Sequence, residues 1–116
     1  MSTQRRPLQD RRIASRINAR LRCTFIFEGI EYEAFIQDIS LAGAFLSSTF
    51  MPPWGVDLSI KLMTSLMEDP LTLEGKIVRR DCKLTERGTV GAFTIRFRHS
   101  SPGLVRLISK LINPPK

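Results

Sequence analysis

The chain has 116 residues, a formal net charge of +7, and 42% apolar and 25% charged residues. This size and composition are typical of one soluble globular domain with a single core. They exclude a membrane-spanning helix, because no apolar run approaches the ~20 residues that a bilayer requires. No signal-peptide core follows the basic start either, and we therefore expect a cytoplasmic protein.

The first 22 residues carry most of the positive charge. Seven arginines, no lysine and the single acid Asp10 lie there, which gives +6 of the net +7. Arginine is favoured over lysine where phosphate oxygens, or the O6/N7 edge of guanine, must be met two at a time. Residues 1–21 show no period of 2 or 3.6, and we predict a flexible arm that grips an anionic ligand carrying guanine. The folded domain is then expected over residues 22–116.

Beyond the arm, apolar and polar residues alternate in short runs separated by turn residues, a pattern that predicts β-strands. The expected strands are residues 22–27, 30–39, 44–47, 56–62, 71–80 and 91–97. A serine cap followed by proline then starts a helix of about residues 101–112, with an apolar stripe that we expect to cover the core. About six strands and one terminal helix predict an all-β fold, a small closed barrel whose closure leaves no unpaired edges.

The aromatic and reactive side chains are assigned mainly to structure. Five phenylalanines are predicted to lie in the core: Phe25, Phe27, Phe35, Phe45 and Phe93. Both cysteines, Cys23 and Cys82, lie in apolar runs and are interpreted as small buried residues in a reducing compartment. The single histidine, His99, has no partner for a metal site or a catalytic dyad, and we expect it on the surface. No nucleophile–base pair, carboxylate pair or Gly-rich phosphate loop is present, so we expect neither an enzyme nor a cofactor.

Two local patterns remain, one in the arm and one between two predicted strands. Residues 11–16 read RRIASR, which contains Arg-x-x-x-Arg at Arg12 and Arg16. Residues 38–43 read DISLAG, an Asp-x-Ser-x-x-Gly turn. Together, in this order and at this spacing, they resemble the PilZ domain family, and the resemblance extends over essentially the whole chain. Arg16 and Arg20 also satisfy the first pattern, but the doubled arginine before Ile13 favours the Arg12/Arg16 frame.

The resemblance implies a six-stranded antiparallel barrel that binds the bacterial second messenger cyclic di-GMP and catalyses nothing. Carried over by position, Arg12 and Arg16 would contact phosphates and guanine edges, and Arg11 is a candidate extra contact. Asp38 and Ser40 would hydrogen-bond the ligand from the turn, and Gly43 would adopt a backbone conformation that a Cβ would obstruct. Ligand binding would order the arm and present a new surface to a protein partner in motility or biofilm regulation.

The residue chemistry leads to the same ligand class. Arginine binds both phosphates and guanine O6/N7 bidentately, and a carboxylate such as Asp38 suits the N1–H and N2–H₂ donors of guanine. The alternative is a basic barrel that binds nucleic acid or protein only. Few surface aromatics are expected for base stacking, which disfavours nucleic acid. The sequence leaves open the partner, the ligand number (one or two per subunit), the choice between monomer and dimer, and whether Arg20 or Arg22 also contacts ligand.

Overall fold

A computed structural model describes residues 16–85 and 88–113 of the chain. Six β-strands and one α-helix form the fold of these described residues. In chain order they are β1 Ile17–Phe27, β2 Ile30–Ile39, β3 Gly43–Ser48, β4 Asp57–Leu62, β5 Leu71–Thr85, β6 Gly88–Phe97 and the helix α1 Pro102–Ile112.

The strands close into an antiparallel barrel in the order β1-β2-β3-β6-β5-β4. The barrel is closed where β4 pairs with β1, for example Ile60 opposite Phe25. Every strand thus has a neighbour on both sides over part of its length, which satisfies backbone groups that an open sheet would leave at its edges. The predicted six-stranded antiparallel barrel with one terminal helix is confirmed.

Alternation along the strands fills the interior. In β4, for example, Leu58, Ile60 and Leu62 are buried between exposed neighbours. Phe25 and Phe93 are fully buried, as predicted, and their rings meet edge to face with centroids 5.8 Å apart. Such contacts between inward-facing side chains provide most of the hydrophobic stabilisation of a small barrel.

The core assignment is wrong for two of the five phenylalanines. Phe35 and Phe45 lie between buried neighbours on their strands and are themselves only half-buried on the outer face. Phe27 is also half-buried, but it packs against the core cluster. The hydrophobicity of Phe35 and Phe45 favoured the interior, but the two-residue period of each strand turns them outward.

Three strand boundaries differ from the expectation by three residues or more. Strand β1 begins at Ile17, so residues 17–21 of the predicted arm belong to the barrel. These residues pair with β2, as in the contact of Ile17 with Ile39. Strands β5 and β6 continue past the expected ends and pair as far as Thr85 and Gly88. The remainder of the predicted arm, up to residue 15, lies outside the described residues.

Helix α1 has the predicted position and role. The Ser101 hydroxyl accepts a hydrogen bond from the Leu104 backbone N–H at 3.2 Å, and Pro102 occupies the first helical turn. Leu104, Leu107 and Ile108 are buried in the core cluster, so the helix covers the barrel interior as expected. Within the part of the chain that the structure describes, no helix is long and apolar enough to cross a membrane.

The two cysteines have different environments. Cys23 is buried on β1, and burial raises the pKa of its thiol to about 12 because the thiolate would lose its hydration. Cys82 is exposed, so the prediction of a buried thiol is wrong there. It lies on β5 beyond Lys76, the last residue of this strand that pairs with β4. His99 is exposed just after β6, as predicted.

Candidate functional site

The turn between β2 and β3 is organised by Ser40. Its backbone N–H donates to the Gly43 carbonyl oxygen at 2.8 Å. Its hydroxyl oxygen accepts hydrogen bonds from the backbone N–H groups of Ala42 at 3.1 Å and Gly43 at 3.3 Å. The side chain is buried, with 4% exposure for the residue. The hydroxyl predicted to bind ligand is therefore engaged in holding the turn, as Ser side chains commonly do.

Gly43 is required at this turn for a reason that only the fold reveals. It starts β3 and pairs with Arg96 of β6. Its φ is not among the positive values of this chain, so no left-handed backbone is involved. A Cβ built on Gly43 would instead collide with the carbonyl oxygen of Ile95 on the neighbouring strand. A Cβ is thus excluded by the close approach of two strands, and not by the backbone conformation that the sequence analysis expected.

Asp38 lies just before the turn, where the sheet register is irregular on both sides of β2. The pairing with β1 shifts between Asn18 and Leu21, and the pairing with β3 shifts between Ile36 and Asp38. Such irregularities bend a strand and change the direction of nearby side chains. The result is a carboxylate whose side chain retains 19% exposure at the barrel surface.

Arg16 is the basic residue that meets this carboxylate. Its Nη1 atom lies 3.1 Å from Oδ1 of Asp38, and the arginine side chain is half-exposed at 51%. The two residues are 22 positions apart in the sequence. The start of β1 therefore brings one predicted residue of each motif into contact. Arg11 and Arg12 fall outside the described residues.

A surface groove extends from this ion pair across four strands of the barrel. Its volume is about 820 Å³, within the range of ~300–1,000 Å³ that is usual for small-molecule sites. Asp38 forms part of its wall, and the Gln37 side-chain amide donates to the Ser47 hydroxyl within it at 2.8 Å. The complete lining comprises Asn18, Ala19, Arg20, Gln37, Asp38, Phe45, Ser47, Val90 and Ala92.

Phe45 is the groove residue that the sequence analysis placed wrongly. It pairs directly with Asp38 across β2 and β3, so the aromatic ring and the carboxylate belong to the same part of the outer surface. Strand alternation was the one available signal, since a strand that turns Ala44 and Leu46 inward turns Phe45 outward. A flat apolar ring beside a carboxylate is a suitable surface for a heterocyclic base with an N–H edge.

Arg20 lines the same groove, and its position is set by an aromatic ring outside it. The guanidinium carbon of Arg20 lies 4.4 Å from the centroid of the Phe35 ring, and that of Arg22 lies 5.9 Å from it. Neither arginine forms a salt bridge within the described part of the chain. The groove therefore contains an available positive charge in addition to the Arg16–Asp38 pair.

The site has no metal-binding character in the part of the chain that was described. No group of three or more His, Cys, Asp or Glu side chains there could hold an ion. The polar groups of the groove are an acid, two amides, a hydroxyl and a guanidinium. These groups recognise a ligand by hydrogen bonds and charge.

Known structures contain the same fold. The PilZ domain with c-di-GMP of YcgR from Escherichia coli superposes with a TM-score of 0.70 and 18% sequence identity, over 88% of this chain and 92% of that one. The inhibitor of motility MotI/DgrA from Bacillus subtilis gives a TM-score of 0.59 at 18% identity, over 87% of this chain and 51% of that one. MrkH of K. pneumonia in its apo state gives 0.67 at 18% identity, over 87% and 48%.

At this low identity the superpositions show the shared fold. No curated protein matches the chain in sequence. The family follows from the sequence, because the PilZ domain model matches residues 10–113, a range that includes both motifs. The chain therefore belongs to the PilZ domain family.

Proposed function

We propose that this protein is a receptor for cyclic di-GMP and binds it in the groove beside the Arg16–Asp38 pair. The observation that carries the proposal is the contact of these two side chains, at 3.1 Å, at the edge of a groove of about 820 Å³ on a PilZ barrel. The YcgR domain with the same fold holds c-di-GMP. The ligand carries two phosphates and two guanines, which match the positive and negative groups of the site.

The Arg16–Asp38 pair would exchange its internal contact for contacts with the ligand. The Asp38 carboxylate would accept hydrogen bonds from N1–H and N2–H₂ of one guanine, and the Arg16 guanidinium would bind a phosphate bidentately. The pair is solvent-exposed on the arginine side, and such pairs contribute only ~0–1 kcal/mol. Its opening therefore costs little, and in the free protein it holds both side chains at the groove.

Phe45 would supply the surface on which the bound guanine lies. It is opposite Asp38 in the β2–β3 ladder, so a base that meets the carboxylate with its donor edge can rest its face on the ring. Stacking of a base on an aromatic side chain contributes ~1–3 kcal/mol. This contact would add apolar burial to a site whose other contacts are polar.

The remaining motif residues would either hold the turn that carries Asp38 or contact the ligand directly. Ser40 and Gly43 would hold the turn that positions Asp38, because the Ser40 hydroxyl is buried and already bonded within the turn. Arg11 and Arg12 would reach the ligand from the segment that precedes β1. Four charged contacts of ~1–3 kcal/mol each, less ~2–5 kcal/mol for ordering that segment, would give only about millimolar affinity; burial and stacking of the two guanine rings bring the expected value to roughly micromolar.

Signalling would follow from this ordering. We propose that the ligand fixes the segment before β1 against the barrel, and that a protein partner binds the surface so formed. Amide hydrogen exchange in residues 5–15 should then slow when cyclic di-GMP is added. Unchanged exchange there, at saturating ligand, would contradict the ordering mechanism. The cytoplasmic location expected from the sequence stays a prediction.

Calorimetric titration tests the proposed ligand. We expect heat with cyclic di-GMP at roughly micromolar affinity, and weak or no binding of GMP, which has one base and one phosphate. The molar ratio of ligand to protein at the endpoint gives the number of ligands per subunit. A folded protein that produced no heat with cyclic di-GMP would overturn the proposal.

One observation favours nucleic acid as a second candidate. Phe35 and Phe45 both face outward and are half-buried, so the surface offers more aromatic area than the sequence predicted. Two arginines, Arg20 and Arg22, lie over the Phe35 ring. Proteins that bind single strands combine such rings with basic residues. A short RNA added in the same calorimeter decides between the two, since tight and steeply salt-dependent RNA binding without a response to cyclic di-GMP would select this candidate.

A further inference from the structure

Phe35 is an aromatic residue on the outer face of the barrel whose ring is covered by arginine side chains. The guanidinium carbon of Arg20 lies 4.4 Å from the ring centroid, well within the ~6 Å limit for a cation–π contact, and that of Arg22 lies near this limit at 5.9 Å. Arg22 is directly opposite Phe35 in the β1–β2 ladder. Arg20 reaches the ring from the irregular stretch between Asn18 and Leu21.

The two arginines differ in what else they contact. Arg20 lines the groove, whereas neither Arg22 nor Phe35 does. In the described part of the chain, Arg20 has no carboxylate within salt-bridge distance. Its charge is therefore available at the groove, and the Phe35 ring is what restrains it there.

We propose that Arg20 binds a phosphate of the ligand and that Phe35 is its positioning residue, which acts on binding without touching the ligand. This inference rests on the proposed function of the groove. A cation over a ring engages its planar face, which leaves the N–H groups at its edge free for bidentate hydrogen bonds to phosphate oxygens. Arginine otherwise loses much side-chain freedom when it binds, and a guanidinium already held by Phe35 loses less.

The expected effect of removing the ring follows from the strength of the contact. Exposed cation–π pairs contribute an amount that corresponds to a roughly two- to fivefold change in affinity. Phe35→Leu should weaken cyclic di-GMP binding by about that factor, and Phe35→Tyr, which keeps the ring, should restore it. Thermal stability should change little in either variant, because Phe35 lies outside the buried core cluster.

Arg22→Ala provides a matched control for Arg20→Ala. Both changes remove one positive charge from the same strand and from the same ring, but only Arg20 lines the groove. We expect roughly tenfold weaker binding for Arg20→Ala, together with a smaller dependence of affinity on salt, and a change within about twofold for Arg22→Ala.

A double-mutant cycle separates positioning from a general structural effect. If Phe35 acts through Arg20, Phe35→Leu should have no further effect on affinity in the Arg20→Ala background. Full additivity of the two changes, or equal losses for Arg20→Ala and Arg22→Ala, would refute the inference while leaving the receptor function intact. Absence of binding by the unmodified protein would instead remove the proposed function, and this inference with it.

Discussion

Replacement of Arg16 by alanine tests whether the ion pair at the groove serves the ligand or the fold. The chain offers a matched control in Arg98, whose Nη2 atom lies 3.0 Å from Oδ2 of Asp57. The arginine side chains are similarly exposed, 51% for Arg16 and 54% for Arg98. Arg98 and Asp57 line a separate depression beside β4 and β5, so Arg98→Ala removes an ion pair with a similarly exposed arginine away from the groove; the carboxylate is more exposed there, 52% against 19% for Asp38.

The magnitudes separate the two variants. Loss of an exposed ion pair should lower the free energy of unfolding by ~0–1 kcal/mol in both proteins. For a domain of this size that amounts to a few degrees in Tm at most. Arg16→Ala also removes a bidentate ligand contact of ~1–3 kcal/mol, while it spares the ligand the opening of a pair of ~0–1 kcal/mol. The difference, about 1.4 kcal/mol, corresponds to roughly tenfold weaker binding.

Calorimetric titration with cyclic di-GMP measures the affinity of each variant, and thermal unfolding followed by circular dichroism measures its Tm. We expect small changes in Tm in both variants and a loss of affinity in Arg16→Ala alone. If the two variants bound cyclic di-GMP within twofold of each other, Arg16 would not be a ligand residue. A loss of several kcal/mol of stability in Arg16→Ala only would assign the pair to the fold.

Four further predictions concern other parts of the chain. Arg12→Ala should weaken cyclic di-GMP binding about tenfold or more with little change in Tm, and normal affinity would show that the motif frame is wrong. Gly43→Ala should lower the free energy of unfolding by ~1–3 kcal/mol in denaturant titration, because the added Cβ meets the Ile95 carbonyl; an unchanged midpoint would contradict that close approach. In native protein, a thiol reagent should modify the exposed Cys82 and spare the buried Cys23, and two rapidly reacting thiols would contradict the burial. Burial raises the pKa of Cys23 from 9.0 to about 12, so the stability that the buried neutral thiol contributes is complete below pH 9 and is lost as the pH rises towards 12. Urea unfolding should therefore show a smaller loss of stability over this pH range in a Cys23→Ala variant than in the unmodified protein.

Local patterns were sufficient for the elements and for the family. Alternation of Leu58, Ile60 and Leu62 with polar residues predicts a strand that buries one face, and the structure contains it. Ser101 and Pro102 mark the start of the helix because capping and proline geometry act within one turn. Such signals depend on a residue and its close neighbours, so they can be recognised without knowledge of the partner strands.

The candidate site depended on contacts that the sequence does not encode locally. Phe45 was assigned to the core from its hydrophobicity, but the register of β3 places it in the groove. The contact of Arg16 with Asp38 needs the β1–β2 pairing, which begins earlier than the charge pattern indicated because basic residues also occupy the outer face of β1. Exposure of Cys82 follows from the length of β5 beyond its pairing with β4.

The amino-acid sequence by itself determined the strands, the terminal helix, the two motifs and the family, because each is specified by residues close together along the chain. Tertiary structure alone decided which side chains share the groove. A shift of one residue in strand pairing reverses the face of every side chain, and the irregular pairing around Asp38 is settled only when β1, β2 and β3 lie side by side.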